Sequence, residues 1–306
     1  MQFLGILAFV AALLISVMIH EFGHFITAKK FGMKVTEFFV GFGKRIWSTQ
    51  RGETEFGVKA IPAGGYCKIS GMTPDEEMAP GEESRAFIKA SSGKKLIVLG
   101  AGSFLHFVLG TVLLFALLAG IGVNQPLPSI REVVTGSPAA AAGVQAGDEI
   151  ISIDGVKVSN WGKDVSKINA SHGKDLTFEI QRNGELITIK AAPERRIINK
   201  EERYVLGIVT NYGLKTLGIP TSAKQSLLIT KEFMVMTVQQ LGSIPSKIPA
   251  LWGQTVRGEK RDPNGLVGVV GAARVSGQTL ESSQLTWRER WAMFVLMIAS
   301  LNIFVG

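Results

Sequence analysis

The chain has 306 residues, a formal net charge of +8, 46% apolar residues and a single cysteine. That length allows two domains, while the lone Cys67 excludes an internal disulfide and a cysteine zinc cluster. Lysines and arginines lie scattered among acids with few aromatics between them, which argues against nucleic acid as a partner. The apolar residues are instead clustered, and the clusters point to lipid.

Phe3 to Ile19 carries no charged group, and the apolar run reaches spanning length by continuing through the HEFGH stretch. Leu96 to Val123 is a second uncharged run and Trp291 to Gly306 a third, cut off at the last residue. A bilayer crossing takes about 20 apolar residues, so the expectation is a multi-span membrane protein whose final span, 288–306, is incomplete. A signal peptide is the competing reading of the N-terminus, but no basic residue precedes the run and no small-residue cleavage site follows it. Lys29, Lys30 and Lys34 follow the first span (1–28) and Lys94 and Lys95 precede the second (96–123). Basic residues mark cytoplasmic flanks, which places the 29–95 loop inside and 124 to about 288 outside.

In the inner loop, TEFGVKAIPAGGYCKISG reads as two short strands around a turn at Pro62-Ala63-Gly64-Gly65. The acidic, Pro- and Gly-rich stretch 74–84 that follows reads as a solvated linker. It lacks the ligand spacing of a calcium loop.

The outer segment opens with a strand-like SIREVV. Ser137 then caps a short helix with Pro138 at its first position, Gly143 ends it, and Gly147-Asp148 turns into the strand EIISI. Asp154-Gly155 and Asn183-Gly184 make hairpin turns, and a helix is expected from about 162 to 171. Over 125–210 this assembly resembles a PDZ domain of the bacterial protease type, a β-rich α+β fold, carried by SPAAAAGVQAGDEIISIDG. Such folds leave a groove where a peptide adds as a strand. A generic β module without a ligand is the plainer alternative. From 211 to 287 the pattern is weaker, with a helix near Ser222 to Leu241 followed by GSIPSKIPALWG, and reads as an amphipathic connector on the membrane surface.

His20 and His24 stand four residues apart, so on a helix they lie about 40° apart on one face and both imidazoles can reach one cation. Neutral imidazole suits zinc, and a catalytic zinc keeps one position open for water. Glu21 on the adjoining face can take a proton from that water. Ionisable groups inside a span are costly and sit there for function; interfacial anchoring by the histidines is the bland alternative. His106, in the second span, reads as a hydrogen-bonded packing residue, and His172 falls in a loop.

HEFGH at the end of the first span, followed by GVKAIPAGGYCKISGM, a second span, a PDZ-like segment and a later span, resembles the site-2 protease family of intramembrane zinc metalloproteases. Its bacterial members that cleave anti-sigma factors are the nearest in pattern. The resemblance implies zinc on His20 and His24, Glu21 as general base, and a membrane-associated β element, EFGVKAIPAGGYCKIS, that holds the substrate strand through Ile61, Gly64, Gly65 and Tyr66. NGLVGVVGAARV resembles the stretch before the third core span, and Asn302 resembles an asparagine near the active site, which the resemblance adds to the substrate-binding residues.

Two departures stand out. Where the family carries G-P-x-x-N, this chain has GSFLH, with Ser103 and His106 in the comparable places. The family's third ligand, an aspartate in an L-D-G motif, is expected after Gly306, so the 306 residues alone are expected to bind zinc poorly and to be inactive. The activity implied is intramembrane proteolysis of single-span proteins such as anti-sigma factors, with a peptide or a substrate ectodomain at the PDZ domain. A membrane-anchored PDZ scaffold without catalysis is the rival, disfavoured by Glu21 between the histidines. A transporter would need repeated polar spans, and only one is found.

Overall fold

The computed structural model describes residues 2–73, 76, 80–198, 201–256, 269–282 and 285–306. They form two units, 1–121 with 217–306, and 122–216.

In the first unit, helix α1 (Gln2–Lys30) has no acidic residue in its first turn and ends on Lys29 and Lys30, where the helix dipole favours cations. Gly32, at φ 78°, turns the chain away. Helix α2 (Ser92–Ala116) runs on through a widened turn, Leu117–Ile121. These two helices are long and apolar enough to cross a membrane. Helix α7 (Trp287–Val305), the last in the chain, starts at a capping box: Thr286 Oγ1 accepts from the Glu289 amide, and the Glu289 carboxylate accepts from the Thr286 amide. Its Phe294 and Ile298 pack on Phe9 of α1, and its Ala299 and Ile303 on Leu114 of α2.

Between α1 and α2 lie strands β1 (Val35–Arg51) and β2 (Thr54–Ile69), joined by a turn at Gly52. Here the structure corrects the expected turn at 62–65: that stretch lies inside a bent β2. Residues 54–59 pair with 45–51 as a hairpin, and 65–69 pair with 35–40 in antiparallel register. Residues 55–58 also face 37–40, with partner numbers rising together, the sense of a parallel pair. Val40 thus lies between Val58 and Gly65. Both halves of β2 bind the same strand instead of each other, and the outer edge of 65–69 pairs with no strand among the described residues. Ala28, Met33, Val35, Ile69 and Val98 bury this element against the helices.

Of the acidic stretch expected as a linker, 76 and 80–84 are among the described residues, and a single helical turn begins there at Glu83–Arg85. The expected connector helix is longer than its apolar pattern indicated: α5 (Ile219–Val256) continues through Gly242, Pro245 and Pro249. Its first half packs on the helices, with Ile229 and Phe233 joining the Leu114 cluster and Thr230 Oγ1 2.9 Å from Thr111 Oγ1. Helix α6 (Val269–Glu281) crosses α1 where Gly5 meets Gly277. The start of NGLVGVVGAARV precedes α6 and lies outside the described residues.

The second unit carries a sheet with the order β10-β3-β4-β6-β7, built from β3 (Val123–Val133), β4 (Glu149–Ile153), β6 (Leu176–Arg182), β7 (Glu185–Ala191) and β10 (Ile208–Lys215), with β5 (Val156–Lys157) beside β4. Helix α3 (Pro138–Ala141) is capped by Ser137, and α4 (Trp161–Ala170) by Asn160. Asp154 and Asn183 adopt φ of 50° and 51°, each followed by a glycine, as the tight hairpin turns require. Ile130, Ile150, Phe178, Ile180 and Trp161 form the core. A separate ribbon, β8 (Glu194–Ile198) with β9 (Glu201–Val205), leads into β10.

Candidate active site

His20 and His24 project from one face of α1, and their Nε2 atoms lie 3.1 Å apart. Two imidazoles on a tetrahedral zinc at about 2.05 Å per bond hold their nitrogens about 3.3 Å apart, so the pair is spaced for one shared cation. His24 Nδ1 sits 2.7 Å from the Val98 carbonyl oxygen on α2. A carbonyl only accepts, so Nδ1 carries the proton and Nε2 keeps its lone pair for a metal. His20 Nδ1 is buried and has no partner among the described residues.

Glycines let the two helices approach this closely. A Cβ on Gly23 would stand 2.6 Å from the Ala101 carbonyl oxygen, and one on Gly102 would stand 2.5 Å from His20 Nε2 and Cε1. The His20 ring therefore packs directly on Gly102. Such small-residue crossings are how helices pack in lipid.

Glu21 lies beside Cys67 of the β element. Burial, and then the neighbouring Glu21 carboxylate, push the Cys67 thiol up to about 12. Gly65 packs on Met18 of α1, so the free edge of 65–69 runs beside the base. Tyr66 stacks between Phe39 and Phe42, its hydroxyl bonded to Glu37 and Lys59. Ile61 is exposed, and Gly64 adopts φ 131°.

Asn302, on α7, is held among three helices. It is 2% exposed. Its Nδ2 donates to Ser16 Oγ at 3.0 Å and to the Ile298 carbonyl at 2.8 Å, and its Oδ1 lies 2.8 Å from His106 Nδ1. Both Nδ2 hydrogens are thus taken up inside the protein, while Oδ1 keeps a second lone pair. His106 is the residue it holds, and the His106 ring lies 4.9 Å, centre to centre, from that of His20. Sequence reasoning missed His106, Cys67, Val98 and Gly102 as members of the site. The only signal was His106 standing where the family pattern carries asparagine.

Among the described residues no group of three or more His, Cys, Asp or Glu side chains is arranged to hold a metal ion. Two imidazoles with facing nitrogens, one of fixed tautomer, nonetheless fit zinc in donor type and spacing, with a carboxylate adjacent.

A helix carrying an H-E-x-x-H pair beside a strand edge defines a metalloprotease-like centre. The sequence profile of Peptidase family M50 matches residues 8–306. The zinc metalloprotease Rip1 of Mycobacterium tuberculosis is 32% identical over 332 residues, covering 99% of this chain and 80% of the relative. That of Mycolicibacterium smegmatis is 31% identical over 340 residues, with the same coverage. The PDZ domain of the SdrC-like protein from Listeria innocua aligns with 29% of this chain and 97% of its own length, at 19% identity and a TM-score of 0.25. The chain belongs to peptidase family M50, the site-2 proteases. It is a zinc metalloprotease, hence a hydrolase.

Proposed function

We propose that the chain is an intramembrane endopeptidase that hydrolyses a peptide bond within or next to the transmembrane segment of a single-span protein, anti-sigma factors being the substrate class. The observation that carries this reading is the facing Nε2 pair of His20 and His24 inside a helix long and apolar enough to span. His20 and His24 would hold zinc, which when bound acidifies a water and polarises the scissile carbonyl. Glu21 accepts the proton as the water oxygen adds to the carbonyl carbon, and returns it to the leaving nitrogen as the C–N bond breaks.

The edge of 65–69 supplies what an unwinding substrate helix loses. Backbone groups freed in lipid need partners, and an unpaired strand offers both donors and acceptors. Gly65 and Tyr66 lie on that edge, Ile61 and Gly64 lead into it, and Cys67 stands beside the base.

The multi-pass arrangement, with the site toward the cytoplasmic side and the 122–216 unit outside the cell membrane, belongs to the same proposal. So does the role of that unit as a PDZ domain that screens substrates by their outer part, binding a peptide or admitting only trimmed ectodomains.

The test pairs two variants in the full-length enzyme with a single-span substrate. Glu21→Gln keeps stoichiometric zinc and loses nearly all turnover, whereas His20→Ala loses both. Normal cleavage by Glu21→Gln overturns the mechanism. Deleting 125–210 lets untrimmed substrate be cut; unchanged selectivity in a folded deletion protein removes the gating role.

A further inference from the structure

We propose that His106 is a substrate-contacting residue of this site: its imidazole, oriented by Asn302, offers the Nε2 lone pair to a backbone N–H of the substrate beside the scissile bond. The inference rests on the proteolytic reading above.

The argument starts at Asn302, whose amide orientation is fixed by its neighbours. Ile298 presents a carbonyl oxygen, which only accepts, so the Asn302 atom 2.8 Å from it is Nδ2. Ser16 Oγ gives its own hydrogen to the Ala12 carbonyl and accepts from the same Nδ2 at 3.0 Å. Asn302 Oδ1 therefore faces His106 Nδ1 at 2.8 Å. An amide oxygen cannot donate, so the proton is on Nδ1, and in the neutral ring Nε2 is a bare acceptor.

Ser16, Asn302 and His106 come from α1, α7 and α2, so three helices set one ring. His106 itself is 5% exposed. Nε2 takes no hydrogen-bond partner among the described residues. It belongs to a ring 4.9 Å from that of His20, within the reacting centre. Chain length and sequence separation hide this arrangement, since 196 residues part His106 from Asn302.

A substrate chain drawn out of its helix at this point shows N–H groups on two sides. The β edge can answer one side, and an acceptor is needed for the other. A locked imidazole acceptor costs little further ordering when the substrate arrives. Asn302 and Ser16 are positioning residues, acting only through the ring.

The experiment measures binding of an uncleaved transmembrane substrate to the full-length, zinc-loaded enzyme in the Glu21→Gln background. A parallel set of substrates has single peptide bonds near the scissile position replaced by esters, which removes one N–H each. His106→Leu is expected to keep stoichiometric zinc and to bind the all-amide substrate about tenfold more weakly. One ester position should weaken binding to the His106 enzyme by a similar factor and have no further effect in His106→Leu. His106→Asn, which retains an acceptor oxygen, should restore the sensitivity to that ester and serves if the leucine variant does not fold. Loss of zinc from both His106 variants, or equal ester effects in the enzymes with and without His106, overturns the proposal. Failure of the proteolytic reading shows separately, as zinc-independent binding or cleavage by Glu21→Gln itself.

Discussion

His24 Nδ1 donates to the Val98 carbonyl oxygen across 2.7 Å, tying a candidate metal ligand on α1 to the backbone of α2. That bond settles the tautomer and aims Nε2 at His20 before any cation arrives. Partners of this kind raise ligand basicity, and their loss typically costs 10- to 100-fold in metal affinity. The site is thus a property of the α1–α2 crossing as much as of the HEFGH motif.

Gly102→Ala tests that crossing. The added methyl would stand 2.5 Å from His20 Nε2, so the ring must turn or the helices part. Zinc affinity should fall at least about tenfold, with proteolysis falling in step, while helix content stays the same. Gly100→Ala is the matched control, since nothing lies within 4 Å of its added Cβ. Metal titration of both variants decides the matter, and equal affinities would detach Gly102 from the site.

In the 122–216 unit, Arg182 holds the buried Asp148 through two bonds of 2.7 and 2.8 Å and also donates to the Gly143 carbonyl. The guanidinium keeps the Asp148 carboxyl below its ordinary range. Arg182→Leu leaves that carboxylate without its cation, which should destabilise the unit. Hydrogen exchange in the full chain should quicken across β4 and β6. Unchanged protection there would show the pair to be dispensable.

Glu53 at the β1–β2 turn binds Arg85 through both oxygens and Lys29 at the end of α1. The Arg85 bond first, then Lys29, bring its carboxyl down to about 2 from 4.5. A depressed folded value means the contribution is fully present above the unfolded value and fades as pH falls from about 4.5 toward 2. Glu53→Gln should cost on the order of 1 kcal/mol at neutral pH. It should also flatten the acid limb of a protease-protection profile for the loop; an acid limb identical to that of the parent protein would exclude Glu53 as its source.

Membrane orientation can be mapped with cysteines. Cys67 is the sole thiol and, with its proton held until about pH 12, should not react with maleimide at pH 7. A cysteine at Lys174 should then label from outside intact cells, and one at Lys89 only after the inner face is opened. The reverse pattern would invert the proposed topology.

What could be read from the sequence was local. The i,i+4 spacing of His20 and His24, the Ser137 cap and the Asp154-Gly155 and Asn183-Gly184 turns each depend on a few adjacent residues, and the structure has them. What could not be read depends on distant pairing. Pro62 to Gly65 carries every sign of a turn, yet β1 inserts between the two halves of β2, a choice settled by tertiary contacts. Cys67 beside Glu21 and His106 beside His20 follow from the same long-range assembly. Asn302 was legible as important, but its partner was not, because a buried amide shows its use only through the atoms around it.

The bent β2 strand has a consequence for what can be cut. A partner added along 65–69 is gripped by its backbone, whose repeat is the same in every sequence, and successive side chains point to opposite faces. Sliding by two residues restores the same grip, whereas sliding by one exchanges the faces. Because Cys67 lies beside Glu21, the register of a chain added there would select the bond presented to the base. Substrates with no common sequence could then be cut at a common depth, as beads on a ratchet are stopped at equal notches whatever their colour.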